Sequence, residues 1–370
     1  MDADIPYLLL TPGPLTTSRT VKEVMLRDYC TWDDEYNSLV TGLRDKLVQL
    51  AARGPGFTSI LMQGSGTFGV EATIGSVIPP QGKLLVPNNG AYGKRIVDIA
   101  RKLKIDHIDL LQSEVAPVDI SAIDDALRRD PAITHVAVVH CETTTGVLNP
   151  AAEVGKLAAK HGKTFILDAM SSFAGIEFTI EDMQAHYLIS SANKCLQGVP
   201  GFSFIIADRA RFEQTKGFAR SLSLDLYDQW QEMETKHGKW RYTSPTHIVR
   251  ALVQAIAELD TEGGIAARAR RYAENHRILV GGLSELGFRP LVAPEHRSPI
   301  ITSFLYPDDP AFSFMKLYDA LKRRRFVIYP GKVSQAETFR VANIGHVFPD
   351  DVRELVTAFG EAVKELGLKL

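Results

Sequence analysis

Cysteine is scarce in this chain: there are three, Cys30, Cys141 and Cys195, odd in number, far apart and without a CxxC pair. That argues against a disulfide framework and against a cysteine-rich zinc site, and it fits a reducing compartment. A surplus of positive charge is also missing, since 42 Lys and Arg stand against 44 Asp and Glu for a formal net charge of −2. Nothing therefore favours nucleic acid or another polyanion as a partner. No apolar run approaches the roughly 18 residues of a membrane span, and Met1 to Pro6 begin with acids rather than the basic stretch of a secretory signal. The expectation is a soluble cytoplasmic protein with no nucleic-acid or membrane partner. Internal repeats and low-complexity tracts are absent as well.

What is present is apolar material for real cores: 370 residues, 45% hydrophobic and 23% charged, enough for two domains. Tyr7 to Leu10 leads into Thr11-Pro12-Gly13-Pro14, where Pro and Gly exclude regular structure, and reads as an ordered arm over 1–20. Seven short apolar runs follow, Ser59 to Met62, Lys83 to Val86, His107 to Leu110, Thr134 to Val139, Thr164 to Leu167, Tyr187 to Ser190 and Phe202 to Ile206. They alternate with helix-length amphipathic stretches, which predicts a largely parallel sheet with crossover helices over 21–247. Two of those helices are clear: Asp119 to Leu127, with acids early and Arg128-Arg129 late, and Val154 to His161, closed by Gly162. From 248 to 370 the texture changes to long helices, Ile248 to Glu262 and Ile265 to Leu286, broken at Gly263-Gly264. Shorter strands follow, Ile300 to Leu305 and Phe326 to Tyr329, then a helix near Ser313 to Arg324 and a closing helix, Pro349 to Leu366. This predicts an interdomain helix and a smaller α+β domain.

Three local features carry chemistry. Gln63-Gly64-Ser65-Gly66-Thr67 lies between a strand and a helix opening near Phe68. Glycines let the backbone approach a ligand, a helix start offers unpaired N–H groups and a positive dipole end, and Ser65 and Thr67 add hydroxyls. The stretch suits a phosphate; read alone, it suits a plain strand-to-helix turn as well. It is neither a Walker loop nor a GxGxxG motif. Phe165-Ile166-Leu167-Asp168 is an apolar strand ending in a carboxylate, at the end where open parallel sheets bind ligands, although a capping role is the other reading. Lys194 follows the strand Tyr187 to Ser190 and precedes Gly198-Val199-Pro200-Gly201; alone, it reads equally as a solvated lysine. Together the three match the needs of pyridoxal phosphate chemistry: a lysine for a Schiff base, an acid to keep the ring nitrogen protonated, and helix-end amides for the phosphate.

With Leu8-Leu9-Leu10-Thr11-Pro12-Gly13-Pro14, Asn88-Asn89-Gly90-Ala91-Tyr92-Gly93, His140-Cys141-Glu142-Thr143-Thr144-Thr145-Gly146, Asp168-Ala169-Met170-Ser171-Ser172, Ser191-Ala192-Asn193-Lys194-Cys195 and Phe339-Arg340-Val341-Ala342-Asn343-Ile344-Gly345, the chain resembles a known family over nearly its whole length. That family is the class V branch of the fold-type I, pyridoxal 5′-phosphate-dependent aminotransferases. The resemblance implies an α/β fold: a large domain with a mostly parallel seven-stranded sheet, and a smaller C-terminal α+β domain. It further implies transfer of an amino group from 2-aminoethylphosphonate to pyruvate by a ping-pong cycle, as a step of phosphonate degradation. An alanine– or serine–glyoxylate aminotransferase is the alternative within the class, and a non-catalytic ligand-binding protein on the same fold is the alternative outside it.

The resemblance also implies roles. Lys194 looks like the lysine that binds the cofactor and moves the proton, and Asp168 like the partner of the ring nitrogen. Ser65, Gly66 and Thr67 correspond to the phosphate loop, Tyr92 to an aromatic stacked on the ring, where relatives often carry Trp, and Thr143 to a hydroxyl near the ring oxygen. Arg340 corresponds to the arginine that grips the substrate's acid group, for which a planar fork suits carboxylate and phosphonate alike; by local sequence alone it reads as a surface arginine in an ion pair. Thr243, within Lys239 to His247, corresponds to a residue that reaches a second subunit's cofactor phosphate, implying a homodimer with shared active sites, while a helix start at Thr243 or Ser244 before Pro245 is an equally good local reading. His140 and His161 have no metal-ligand spacing, Cys141 and Cys195 receive no catalytic role, and Lys322-Arg323-Arg324-Arg325 reads as a solvated helix end.

Overall fold

The computed structural model describes residues 6–331, 333 and 336–370, so the first five residues of the arm lie outside it. Seven strands form the main sheet: β1 (Phe57–Gln63), β2 (Lys83–Asn88), β3 (Asp106–Leu111), β4 (Ile133–Val139), β5 (Thr164–Asp168), β6 (Tyr187–Ser191) and β7 (Phe202–Asp208). Their spatial order is β1-β7-β6-β5-β4-β2-β3, and only β7 runs antiparallel to its neighbours. The seven apolar runs of the sequence all become strands, each extended at its ends by a residue or a few.

Because side chains alternate along a strand, each run feeds two cores. Leu61, Leu85, Val136, Val138, Phe165, Leu167, Phe204 and Ile206 point to one face, and Ile60, Met62, Leu84, Val86, Ala137, Val139, Ile166 and Ile205 to the other. The first face is covered by α1 (Asp34–Ala51), α4 (Ile120–Arg129), α5 (Ala151–Lys160) and α7 (Thr246–Glu262); the second by α2 (Gly66–Val77), α3 (Ala91–Lys102) and α6 (Leu226–Thr235). Covering both faces is what a mainly parallel sheet of Val, Ile and Leu requires. Each large apolar side chain so buried contributes about 1.5–3 kcal/mol.

Caps mark the helix limits. Asp119 accepts from the N–H groups of Ser121 and Ala122 to start α4, and Asp33 accepts from Glu35 to start α1. α7 gives way to α8 (Gly264–Glu285) across Gly263 and Gly264, at φ 105° and 79°.

The C-terminal part packs α8, α9 (Phe314–Arg323) and α10 (Pro349–Leu366) on a three-stranded antiparallel sheet of β8 (Ile301–Leu305), β9 (Tyr329–Pro330) and β10 (Thr338–Ala342), with β10 in the middle. The expected strand Phe326 to Tyr329 divides here. Phe326–Val327 pairs in parallel with Leu8–Leu9 of the arm, whereas Tyr329–Pro330 pairs with β10. The arm is thereby built into this part of the molecule: Leu8 and Leu10 are buried in its core, and Ala342 donates to the Leu10 carbonyl at 3.0 Å. At the end of α9, Arg323 and Arg324 form exposed pairs with Glu361 and Glu365, of little energetic weight.

Candidate active site

The C-terminal ends of β1, β4, β5 and β6 and the start of β7 open on one cavity of about 550 Å³. Ser65, Gly66, Thr67, Tyr92, Asp168 and Lys194, six of the residues singled out from sequence, line it together. After β1 the chain turns at Gly64, φ 118°, into the first turn of α2. Ser65 occupies the N-cap position, yet its side chain makes no capping bond. The positive end of a twelve-residue helix and an uncommitted hydroxyl therefore face the cavity wall.

Asp168 ends β5, in register with Val139 of β4 and Ile189 of β6. Its carboxylate is buried and accepts from the Met170 N–H at 2.9 Å. Burial pushes the carboxyl up to about 6; the Met170 bond and the charges of Arg95 and Lys194 pull the other way without cancelling it. Lys194 sits in the turn after β6, and its Nζ donates to the Pro12 carbonyl of the arm. Burial holds that amine below its ordinary value, opposed by Cys195 and Asp168 and reinforced by the cation of Arg340. Gly13 stands at φ 132°, a conformation that strains other residues, and a Cβ there would lie 2.6 Å from the lysine nitrogen, so glycine lets the arm pass this close without strain. From behind, Arg268, itself buried and paired with Glu262, donates to the carbonyls of Cys195 and Leu196, and Gln197 donates to Tyr272 and to the Gly345 carbonyl. The chain just after the lysine is thus tied to two separate segments, α8 and the stretch around Gly345.

Arg340 lies on β10 and is buried, with its guanidinium donating to the Thr143 carbonyl at 3.1 Å and the Pro330 carbonyl at 3.0 Å. Among the described residues no carboxylate is within ion-pair range of it, so the local reading of a surface ion pair does not hold. Burial lowers its pKa, while Tyr92, Tyr329 and Glu142 oppose the shift. Thr143 is buried beside it, and its hydroxyl has no hydrogen-bond partner among the described residues.

Thr243 is not brought to this cavity. It is exposed, on a separate groove shared with Trp32, Tyr36, Trp240 and Tyr242. His140 bonds Ser172 at 2.9 Å and His161 bonds Asp124 at 2.7 Å. Cys141 lines the cavity and Cys195 is buried behind it; burial pushes both thiols up to about 12, which keeps them protonated.

Two side chains at the site have no signal in the local sequence. Arg95 lines the cavity, donates to Thr67 Oγ1 at 3.0 Å and lies 4.8 Å from the Tyr92 ring. Glu142 is fully buried and accepts from the Tyr92 N–H and the Thr144 hydroxyl. Arg95 sits in a charged stretch, Lys94-Arg95 with Asp98 and Arg101, that looks like any solvated helix face. Only its position three residues after Tyr92, one turn along the same helix face, hints at the site.

The aminotransferase class-V family profile matches residues 43–318. A 2-aminoethylphosphonate–pyruvate transaminase of Bacillus cytotoxicus is 57% identical over 358 residues, covering 96% of this chain and 98% of the relative. One of Syntrophobacter fumaroxidans is 58% identical over 362 residues, covering 98% of each. Among solved structures, pyridoxamine–pyruvate aminotransferase of Mesorhizobium loti superposes with a TM-score of 0.89 at 25% identity, covering 99% of this chain and 94% of the other.

Proposed function

The chain belongs to the aminotransferase class-V family, and on that premise we propose that it transfers the amino group of 2-aminoethylphosphonate to pyruvate, giving phosphonoacetaldehyde and L-alanine, with pyridoxal 5′-phosphate in the cavity described above. The observation that carries this reading is the convergence of Lys194, Asp168 and the Ser65–Thr67 helix start on one cavity. The choice of substrates is supported by the near-full-length likeness to transaminases of that name.

The residues present fit the cofactor. A phosphate suits the start of α2, where the Ser65 hydroxyl makes no capping bond and Arg95 stands beside Thr67. A cationic ring nitrogen suits a buried carboxylate whose pKa has risen to about 6. When bound, the cofactor supplies a conjugated ring that takes up the electron pair released as a C–H bond beside the nitrogen is broken.

The chain's own residues do the rest. Burial favours the neutral amine of Lys194, the form that bonds to an aldehyde carbon and, once released, takes up and returns a proton. Asp168 keeps the ring nitrogen protonated, Tyr92 offers a face for stacking, and Ser65, Gly66 and Thr67 hold the phosphate. Arg340 binds the phosphonate of the donor and the carboxylate of the acceptor in turn, so one site serves both substrates. In this reading Thr243 serves the cavity of a second copy in a homodimer. The exposed aromatics Trp32, Phe68 and Tyr242 around its groove and the adjoining one support that assignment. Three free cysteines support a reducing, cytoplasmic setting, and no helix of the described residues is long and apolar enough to cross a membrane.

The test is amine-donor specificity. Cofactor-loaded protein is expected to make alanine from pyruvate with 2-aminoethylphosphonate, at a kcat/KM at least about 100-fold above its alanine–glyoxylate and serine–glyoxylate activities. Alanine formed from pyruvate only with some other donor overturns the substrate assignment. Arg340→Lys keeps the charge but loses the fork. It should raise KM for both substrates by about 10–100-fold with kcat changed far less, as read from initial rates. An unchanged KM for the phosphonate would remove Arg340 from that role.

A further inference from the structure

We propose that Glu142 is the N-terminal cap of α3, supplied from a distant loop, and through it the positioning residue that sets Tyr92 and Arg95 against the cavity. The proposal rests on the reading that those two residues serve the bound cofactor. α3 begins at Ala91 behind Gly90, which has no side chain to cap the helix. Glu142 follows β4, 50 residues further on, and fills that role: its Oε2 accepts from the Tyr92 N–H at 3.1 Å, and the Gly93 N–H lies near enough to pull the carboxyl's pKa down. These are the second and third amides of the helix, the ones a capping Ser, Thr or Asp satisfies from its own position.

Gly90 and Glu142 occupy the same space. A Cβ at position 90 would lie 2.4 to 2.7 Å from Cγ, Cδ and Oε2 of Glu142. Helix and cap are therefore a matched pair: a capping side chain at position 90 and the glutamate exclude one another. Glu142 is held in turn. The Thr144 hydroxyl donates to its other oxygen at 2.8 Å, its own carbonyl accepts from Gly146, and Cys141–Glu142 pairs with Val147–Leu148. Burial pushes the carboxyl up to about 7, against the pull of Thr144, Tyr92 and Gly93. A carboxylate kept in such a place is there for the bonds it accepts. Those bonds act on the first turn of α3, which carries Tyr92 and, one turn on, Arg95 with its links to Thr67 and the Tyr92 ring.

The test uses full-length protein and two readouts: amide hydrogen exchange at Tyr92 and Gly93, and the dissociation constant of pyridoxal phosphate from the cofactor-free protein. Glu142→Ala should speed exchange at both amides and weaken cofactor binding, each by about tenfold, the usual scale for a lost cap. Gly90→Ser alone should weaken binding because its side chain meets Glu142, yet in the Glu142→Ala background the same serine caps the helix in place and should restore both readouts to within about threefold of wild type. A merely space-filling glutamate gives no such reversal of sign. Unchanged exchange in Glu142→Ala overturns the cap; faster exchange with unchanged affinity overturns the positioning role. If Glu142→Ala does not fold, Glu142→Met, which keeps much of the volume and has no oxygen acceptor, is read in the same way. Wild-type protein that binds no pyridoxal phosphate removes the functional reading, and the exchange data still decide on the cap.

Discussion

Lys194→Ala is expected to lower alanine formation from 2-aminoethylphosphonate and pyruvate by at least about 10⁴-fold, because both covalent attachment and proton transfer are lost with the one amine. Lys194 is the only lysine among the described residues lining the cavity. Truncation removes the bond to the Pro12 carbonyl and leaves the ties of the Cys195 and Leu196 carbonyls and of the Gln197 side chain in place, so the variant should fold. Initial rates measure the loss. Borohydride treatment of the cofactor-loaded wild type, followed by peptide mass analysis, should fix the cofactor to the peptide containing Lys194 and to no other. Turnover retained within about tenfold of wild type would overturn the role of this residue.

Asp168→Asn should cost at least about 100-fold in kcat, because a neutral amide gives the ring nitrogen no charge to keep it protonated. The same substitution has an opposite effect on the empty protein. Burial raises the Asp168 carboxyl to about 6 from 3.8. Between those values the folded state binds more protons than the unfolded one, so stability of the cofactor-free protein falls as pH rises through that window, by up to about 3 kcal/mol. Asparagine removes the ionisation. The cofactor-free variant should then be more stable than wild type at pH 7.5 and no more stable at pH 4, as read by denaturant titration. Binding a cationic ring reverses the balance, and below about pH 6 wild-type cofactor affinity should decline with uptake of one proton by the free site, a dependence absent in the variant. A variant no more stable than wild type at pH 7.5 would show that Asp168 is not held in the unfavourable setting that burial creates.

Much of the site was legible because its parts lie at ends of regular elements. Asp168 terminates a strand, Ser65 to Thr67 start a helix, and Lys194 follows another strand; each carries a contiguous signal of apolar run and turn residues. Arg340 gave the wrong local signal, reading as a surface ion pair, since nothing in Thr338-Phe339-Arg340-Val341 tells that β10 is the buried centre of a sheet. Arg95 and Glu142 are hidden in the sequence for the same reason: one resembles an exposed helix cation, the other a loop acid, and only the fold brings them to Thr67 and to the head of α3. Phe326 to Tyr329 read as one strand because apolar β-formers run through it, and only the arm, pairing from more than 300 residues away, divides it between two sheets.

Sequence alone determined the alternation of strand and helix and the class of chemistry announced by a glycine-rich turn, an acid and a lysine in that order. Hydrophobic period, helix caps and glycine turns act between near neighbours, so they can be read from the chain. The tertiary structure decided what stands next to what: Pro12 over the lysine, Arg340 against Thr143, Glu142 at the head of α3. Those contacts join segments separated by 50 to 197 residues. They follow from the order of strands in the sheet and from the packing of the smaller domain and its arm, which depend on the free energy of the whole fold rather than on any short stretch of residues.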